Sequence, residues 1–153
     1  MGITLEPVGY VRSSRADAID DRWDAVESRI ELDAARFTAE ALAGLGAFSH
    51  LLVIYSFHKT DPAKTEFKAR HPRGNPDWPK VGIFAQRGKD RPNHLGVTIC
   101  EILEVTGTHV RVRGLDAIDG TPVLDLKPCM RGFEPRGDIR EPEWARLIME
   151  EYW

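Results

Sequence analysis

No part of the sequence approaches the ~20 consecutive apolar residues that a membrane-spanning helix needs, so no membrane partner is expected. The N-terminus, Met1 to Tyr10, carries Glu6 and Pro7 and lacks a basic-then-apolar order, so no secretory signal is expected either. Cysteine is scarce. Only Cys100 and Cys129 occur, outside any CxxC spacing, which fits free thiols in a reducing, cytoplasmic setting. Glycine fingerprints are missing as well. Gly44-Leu45-Gly46 lacks a third glycine and a following helix, which disfavours a Rossmann nucleotide site. There is no P-loop and no G-x-S-x-G elbow. The five histidines (50, 58, 71, 94, 109) are dispersed. His50 and His58 bracket an extended run that spans roughly 26 Å at strand rise, too far apart to share an ion, and no metal is expected.

The 153 residues suffice for one domain with a hydrophobic core and are too few for two, so residues 1–153 are read as a single domain. A net charge of -3 argues against a broadly basic nucleic-acid surface, and no DNA partner is expected. The charge is unevenly spread. Between Lys59 and Arg91 nine Lys and Arg face four Asp and Glu, a local +5; the remainder, with 12 basic and 20 acidic residues, carries -8. One basic segment on an acidic molecule is compatible with a local anion site. Charge alone favours the plainer reading, a solvated loop.

Most of the chain reads as short strands between turn residues. Strands are expected at Gly9–Arg12, Val26–Leu32, Leu51–Phe57, Val81–Ala85, Val97–Val105, His109–Arg113 and Val123–Leu126. The continuous apolar run Leu51–Phe57 predicts a strand covered on both faces. Thr106-Gly107 turns the chain so that His109–Arg113 pairs back on the strand before it. Thr38 is positioned to cap a short helix ended by Gly44. A C-terminal helix starts near Pro142, with Trp144, Leu147, Ile148 and Tyr152 on one face; simple packing is preferred to a cofactor role for that stripe. Pro62 to Pro79 reads as an irregular loop. A mainly antiparallel β protein with a few helices follows, not a doubly wound α/β sheet.

Two segments carry candidate chemistry. Phe84-Ala85-Gln86-Arg87-Gly88-Lys89-Asp90-Arg91-Pro92-Asn93-His94-Leu95-Gly96 places three cations in a Gly- and Pro-shaped loop between apolar strands. Its backbone N–H groups can face inward, Arg87 and Arg91 can fork onto a carboxylate or phosphate, and Asn93 can donate and accept. A charged hairpin tip with no ligand is an equal reading. Gly114 to Pro128 gathers Asp116, Asp119 and Asp125, with Lys127 close by. Carboxylates there can offset a sulfonium charge, bind ribose hydroxyls or an ammonium group, or accept a proton. A polar turn with a weak Lys127–aspartate pair is the slightly favoured alternative.

Together these segments resemble the signature blocks of the TrmO/TsaA (YaeB-like) family: Phe-Ala-Thr-Arg-Ser-Pro-x-Arg-Pro-Asn-Pro-Ile-Gly, then Gly-Leu-Asp-x-x-Asp-Gly-Thr-Pro-Val-Leu-Asp-Ile-Lys-Pro-Tyr. Gly46-Ala47-Phe48-Ser49-His50-Leu51, continuing to Phe57-His58, is similar to a third block, and all three stand in the expected order. The resemblance covers roughly residues 8 to 130. It implies a small β-barrel methyltransferase, homodimeric, with S-adenosylmethionine as donor, S-adenosylhomocysteine as product and no metal. It also implies tRNA as substrate, through N6-methylation of N6-threonylcarbamoyladenosine beside the anticodon.

Carried over residue by residue, it implies a cofactor site from Phe84, Ala85, Gln86, Arg87, Gly88, Arg91, Asn93, Leu115, Asp116, Asp119, Thr121, Pro122 and Leu124, with His50 and His58 supporting or bordering it. Arg87 or Arg91 would hold an anionic group. Asp119, Asp125 and His58 are the candidate proton acceptors. Alanine at Arg91 or Asp119 is expected to abolish donor binding or turnover. The departures from the pattern are Gln86 for Thr, Gly88 for Ser, Lys89 for Pro, His94 for Pro and Cys129 for Tyr. They leave open a same-fold enzyme acting on a small molecule or another RNA, and a non-catalytic S-adenosylmethionine-binding regulator. No C-terminal RNA-contacting domain is expected after the Trp144 helix.

Overall fold

The computed structural model describes residues 1–153. Its strands are β1 (Gly9–Ser13), β2 (Glu27–Leu32), β3 (His50–Ser56), β4 (Ala69–Arg70), β5 (Val81–Gly82), β6 (Leu95–Thr106), β7 (His109–Arg113) and β8 (Pro122–Pro128). Six of them close into an antiparallel barrel in the order β1-β2-β7-β6-β3-β8, while β4 and β5 pair with each other apart from it. The period of two explains the wall. Ser28, Ile30 and Leu32 of β2, Val110 and Val112 of β7, and Leu51, Val53 and Tyr55 of β3 point inward and are buried. Outside β2 and β7 runs a ladder of exposed ion pairs, such as Arg113–Glu27 at 3.1 Å and Arg111–Glu27 at 3.2 Å, each contributing little to stability.

The strand directions decide where the loops meet. β1, β3 and β7 run one way and their neighbours the other, so the chain leaves β1, β3 and β7 and enters β2, β6 and β8 at the same mouth. Both candidate segments are loops of that mouth. β6 has two partners in succession: Leu95–Glu101 pair with β3, and Glu101–Thr106 pair with β7 past an irregularity between Ile102 and Glu104. Since β7 ends beside Glu101, the stretch Leu95–Cys100 has no strand along its second edge. The wall is open there. At the opposite end, Leu42 joins the core, with Phe37 and Leu45 packed against it.

Five expectations change. The strand expected at Val81–Ala85 is only β5, and Ile83–Ala85 is a 3-10 turn. The segment after Thr38 is a 3-10 helix, Ala39–Leu42, whose Thr38 side chain makes no capping bond; Gly44 follows at φ 85°. The Pro62–Pro79 loop contains β4 and two 3-10 turns, Pro62–Lys64 and Pro72–Gly74. The run in β3 is covered on its inner face alone. Leu52 and Ile54 are half-buried on the outer face, beside exposed Val97 and Ile99 of β6. The C-terminal helix α1 spans Glu143–Ile148, so Tyr152 lies beyond it and does not share its stripe. No helix is long and apolar enough to cross a membrane.

Candidate functional site at the open wall

The open stretch of β6 is filled by side chains from four parts of the chain, and they converge on Asp116. The Asp116 Oδ1 atom accepts hydrogen bonds from the hydroxyls of Tyr55 (3.1 Å) and Thr98, and Oδ2 accepts from the hydroxyl of Tyr152. Tyr55 also reaches the Asp116 carbonyl at 3.2 Å. Tyr55 is 2% exposed and Thr98 is buried, so three hydroxyls on a carboxylate form here a polar cluster at the rim of an apolar core. Burial first, and the Asp116 charge second, push the Tyr55 and Tyr152 phenols well above their ordinary value, so both stay protonated as donors. The same two causes push the Cys100 thiol up to about 12, which leaves it an inert core group.

Gly96 makes this possible. It lies opposite Tyr55 across β3 and β6, and a β-carbon there would come within 2.5 Å of the Tyr55 ring. The ring lies flat over the glycine because nothing projects from it. Phe57 braces the ring edge-on, with centroids 5.4 Å apart.

The loop from Phe84 to Gly96 folds on itself. Arg87 is exposed, and its guanidinium donates to the Val97 carbonyl on the open edge of β6 at 2.6 Å. Arg91 donates to the Gln86 carbonyl at 2.6 Å. Both arginines therefore cap backbone carbonyls, and Arg91 holds the loop closed. Gln86 is buried, its amide donating to the carbonyls of Arg70 (3.0 Å) and Val81 (2.9 Å), so it clamps the β4–β5 pair. Gly88 lets Arg70 pass, because a β-carbon there would meet the guanidinium at 2.7 Å; Arg70 continues to Asp90 at 3.1 Å. Two departures from the family pattern, Gln86 and Gly88, thus serve one local packing arrangement. His94 serves another. It sits at φ 51°, closed to the proline it replaces, and its ring bonds Thr65 and Lys89. Phe84 is 80% exposed, Ala85 and Asn93 are exposed, and these three remain available to a ligand.

The second segment divides into core and rim. Leu115 and Thr121 are buried, Thr121 bonding the Ile118 carbonyl at 2.7 Å. Asp119 pins the turn to β1: its Oδ1 accepts the Ser13 N–H at 3.0 Å, and its own N–H donates to Arg15 O at 2.7 Å. Gly120, at φ 79°, completes that turn. Alanine at Arg91 or Asp119 would unpin the loop or the turn. Pro122 starts β8 opposite Tyr10, Leu124 is the extra residue where the β3–β8 register shifts, and Asp125 pairs with Lys127 at 2.8 Å on the surface. His50 starts β3, its ring bonded to Ser49, and His58 lies past the other end beside Gly120.

Desolvation, followed by the charge of Lys59, holds the His58 imidazole below its ordinary value of 6.5, and Asp119 opposes both. The folded state disfavours the imidazolium. The contribution of neutral His58 to stability is complete above pH 6.5 and is lost as pH falls through that value toward the lowered one. An NMR titration should find His58 below 6.5, and Asp119→Asn should lower it further; a midpoint at or above 6.5 would refute this placement.

Sequence reasoning found Asp116 and missed Tyr55, Thr98 and Tyr152. Inside β3 and β6 the Tyr55 and Thr98 hydroxyls look like ordinary wall residues, and Tyr152 reads as part of the packing stripe of α1. Nothing local signals that the three of them meet one carboxylate.

Fold and site define the class of a small antiparallel β-barrel whose open wall presents a hydroxyl-held carboxylate, with the exposed Arg87 guanidinium on the open edge of β6. Residues 19–134 match the model of the tRNA-methyltransferase O N-terminal domain, and the chain belongs to that family. It is 39% identical over 141 residues to a probable S-adenosyl-L-methionine-binding protein of Methanothermobacter thermautotrophicus, covering 90% of this chain and 97% of that one. It is 33% identical to the human tRNA (adenine(37)-N6)-methyltransferase, over 92% of this chain but only 33% of the human one. The Escherichia coli protein of that name is 35% identical, over 82% of this chain and 57% of its own length. The crystal structure of TrmO from Pseudomonas aeruginosa superposes with a TM-score of 0.73 at 28% identity, over 92% of this chain and 62% of that one. The chain therefore spans between a third and two thirds of these methyltransferase relatives, and nearly all of the archaeal one.

Proposed function

We propose that this chain binds S-adenosylmethionine at the open wall and transfers its methyl group, with N6-threonylcarbamoyladenosine beside the tRNA anticodon as the acceptor. The observation that carries the reading is the Asp116 cluster. A carboxylate fixed by hydroxyls and flanked by the rings of Tyr55 and Tyr152 suits a cationic ligand, whether sulfonium or ammonium. The donor set fits the rest of the molecule too: the exposed Phe84 ring offers a face for adenine, and Arg87 offers a fork for a carboxylate.

When bound, S-adenosylmethionine supplies an electrophilic methyl group. The protein's own residues then do three things. Asp116 and Arg87 hold opposite charges of the donor and orient it. The β6 wall and the Tyr55 and Phe57 rings exclude water from one side. His58, kept neutral at pH 7, is able to take up the proton that an acceptor nitrogen releases. The tRNA reading draws support from Lys64, Lys68, Lys80 and Lys89, which are exposed and pair with no carboxylate. Two copies would pair through the apolar outer face formed by Leu52, Ile54, Leu95, Val97 and Ile99, which lies next to Arg87. A second reading, an S-adenosylmethionine-binding regulator of the same barrel, is favoured by the archaeal relative, which matches end to end and is named only for binding.

Calorimetric titration with S-adenosylmethionine and S-adenosylhomocysteine is the test, followed by incubation with threonylcarbamoylated tRNA. Saturable binding at one site per chain and formation of S-adenosylhomocysteine are expected. Binding without turnover on any acceptor selects the regulator; no binding, with or without tRNA, refutes both readings.

A further inference from the structure

The third hydroxyl on Asp116 comes from outside the barrel and beyond residue 134, where the family match ends. A strap of residues 134–142, exposed at every position, leads to α1, which buries none of its residues. The chain end is then pinned beside the mouth. The Arg22 N–H donates to Glu151 O and the Trp23 N–H to Tyr152 O, both at 2.9 Å, and Trp23 is buried. Trp153 lines a cleft of about 300 Å³ with Ile99, Cys100 and Gly114, against the open edge of β6. A segment with an exposed strap and a pinned end thus delivers one hydroxyl to the central carboxylate.

The geometry at Asp116 shows what that hydroxyl adds. Tyr55 and Thr98 both grip Oδ1, and Tyr152 alone holds Oδ2. A carboxylate held by one oxygen still turns about its terminal bond, whose torsional preference is broad. It has about four acceptor positions, so gripping both oxygens leaves capacity for a ligand while fixing where it points.

We propose that Tyr152 is a positioning residue: its hydroxyl, carried in by the C-terminal tail, fixes the free face of Asp116 for the cationic part of the donor. The proposal rests on Asp116 being a donor-binding residue. Coupling is reciprocal, so donor binding must also tighten the tail on the barrel.

The test is calorimetric titration of the full chain with S-adenosylmethionine, comparing wild type, Tyr152→Phe, Tyr152→Ala and Asp116→Asn. Tyr152→Phe keeps the ring and removes only the hydroxyl. It should weaken binding about tenfold, and Tyr152→Ala should be little weaker than Phe. A role in packing alone would instead let phenylalanine restore affinity. Hydrogen exchange supplies a second readout: the Trp23 amide should slow when S-adenosylmethionine binds wild type, and should not respond in Tyr152→Phe. Wild-type affinity in Tyr152→Phe, with binding lost in Asp116→Asn, would overturn the proposal and leave the Asp116 reading standing. Tighter binding in Tyr152→Phe would also overturn it, making the tail a plug that competes with the donor. Wild-type affinity in Asp116→Asn, or no binding by wild type, would remove the reading on which the proposal stands.

Discussion

Replacing Asp116 by asparagine is expected to weaken S-adenosylmethionine binding by about 100-fold while leaving the fold intact. The amide has the carboxylate's shape, so no cavity opens. Its oxygen continues to accept from Tyr55 and Thr98, and its NH2 group turns toward Tyr152, whose hydroxyl also accepts. What disappears is one negative charge. A hydrogen bond to a charged group contributes about 1.5–3 kcal/mol, and the amide returns none of it, because the NH2 that replaces Oδ2 presents a donor to a cation; 100-fold in affinity is about 2.7 kcal/mol. The melting temperature should stay within about 2 °C of wild type, since each kcal/mol moves a domain of this size by a few degrees. Asp116→Ala is the contrast. It strips the carboxylate from both hydroxyls; Tyr55 keeps the backbone carbonyl of residue 116, but the buried Thr98 donor is stranded at a cost of about 1–3 kcal/mol, so the change should lower both affinity and melting temperature. Calorimetry and a thermal melt on the same samples separate the two. Asparagine binding like aspartate would mean that the donor's cationic groups lie elsewhere.

The parts of the fold legible in the sequence are those where one strand face is buried and the other solvated. Val110 and Val112 alternate with Arg111 and Arg113, and the barrel places them as that alternation requires, paired across Gly107 to β6. The Leu51–Phe57 run was less legible, because a strand with an apolar outer face reads the same whether a second layer of its own chain covers that face or not. Helical spacing misassigned Tyr152 for a different reason. Periodicity holds only while the helix lasts, and α1 stops at Ile148. Tyr152 is placed by a backbone bond from the Trp23 N–H, across 129 positions of sequence, and no local pattern encodes such a contact.

At the site, residue chemistry was legible but its use was not. Arg91 reads as a ligand-binding group because it is a strong donor in a loop, and Gln86 through its place in the resembling block. That loop is short of regular structure, so it leaves carbonyls that need donors, and the two side chains supply them. Asp119 is the mirror case, an acceptor with one oxygen engaged by the Ser13 N–H. In a loop-built site, the side chains that shape the cradle and those that hold the ligand are the same residue types. Only the hydrogen-bond partners distinguish them.

Gly96→Ala is the variant in which fold and site fail together. The new methyl would lie 2.5 Å from two ring carbons of Tyr55 and 2.9 Å from its hydroxyl. The ring has little room to yield: it is 2% exposed, belongs to the main core cluster and is braced by Phe57. Overpacking of this kind costs about 1–3 kcal/mol, so at about 2–4 °C per kcal/mol the melting temperature should fall by roughly 2–12 °C. The ring's displacement also draws its hydroxyl off Asp116, and affinity for S-adenosylmethionine should fall about tenfold. A second substitution tests the cause. Tyr55→Leu removes the ring that the methyl strikes, so the double variant Gly96→Ala with Tyr55→Leu should be more stable than the sum of the two single effects predicts, by about 1 kcal/mol or more. Affinity should not recover, because the hydroxyl is gone. Additive stabilities would show that Gly96 is needed for some reason other than the ring above it. Recovered affinity would show that Tyr55 does not hold Asp116 for the donor.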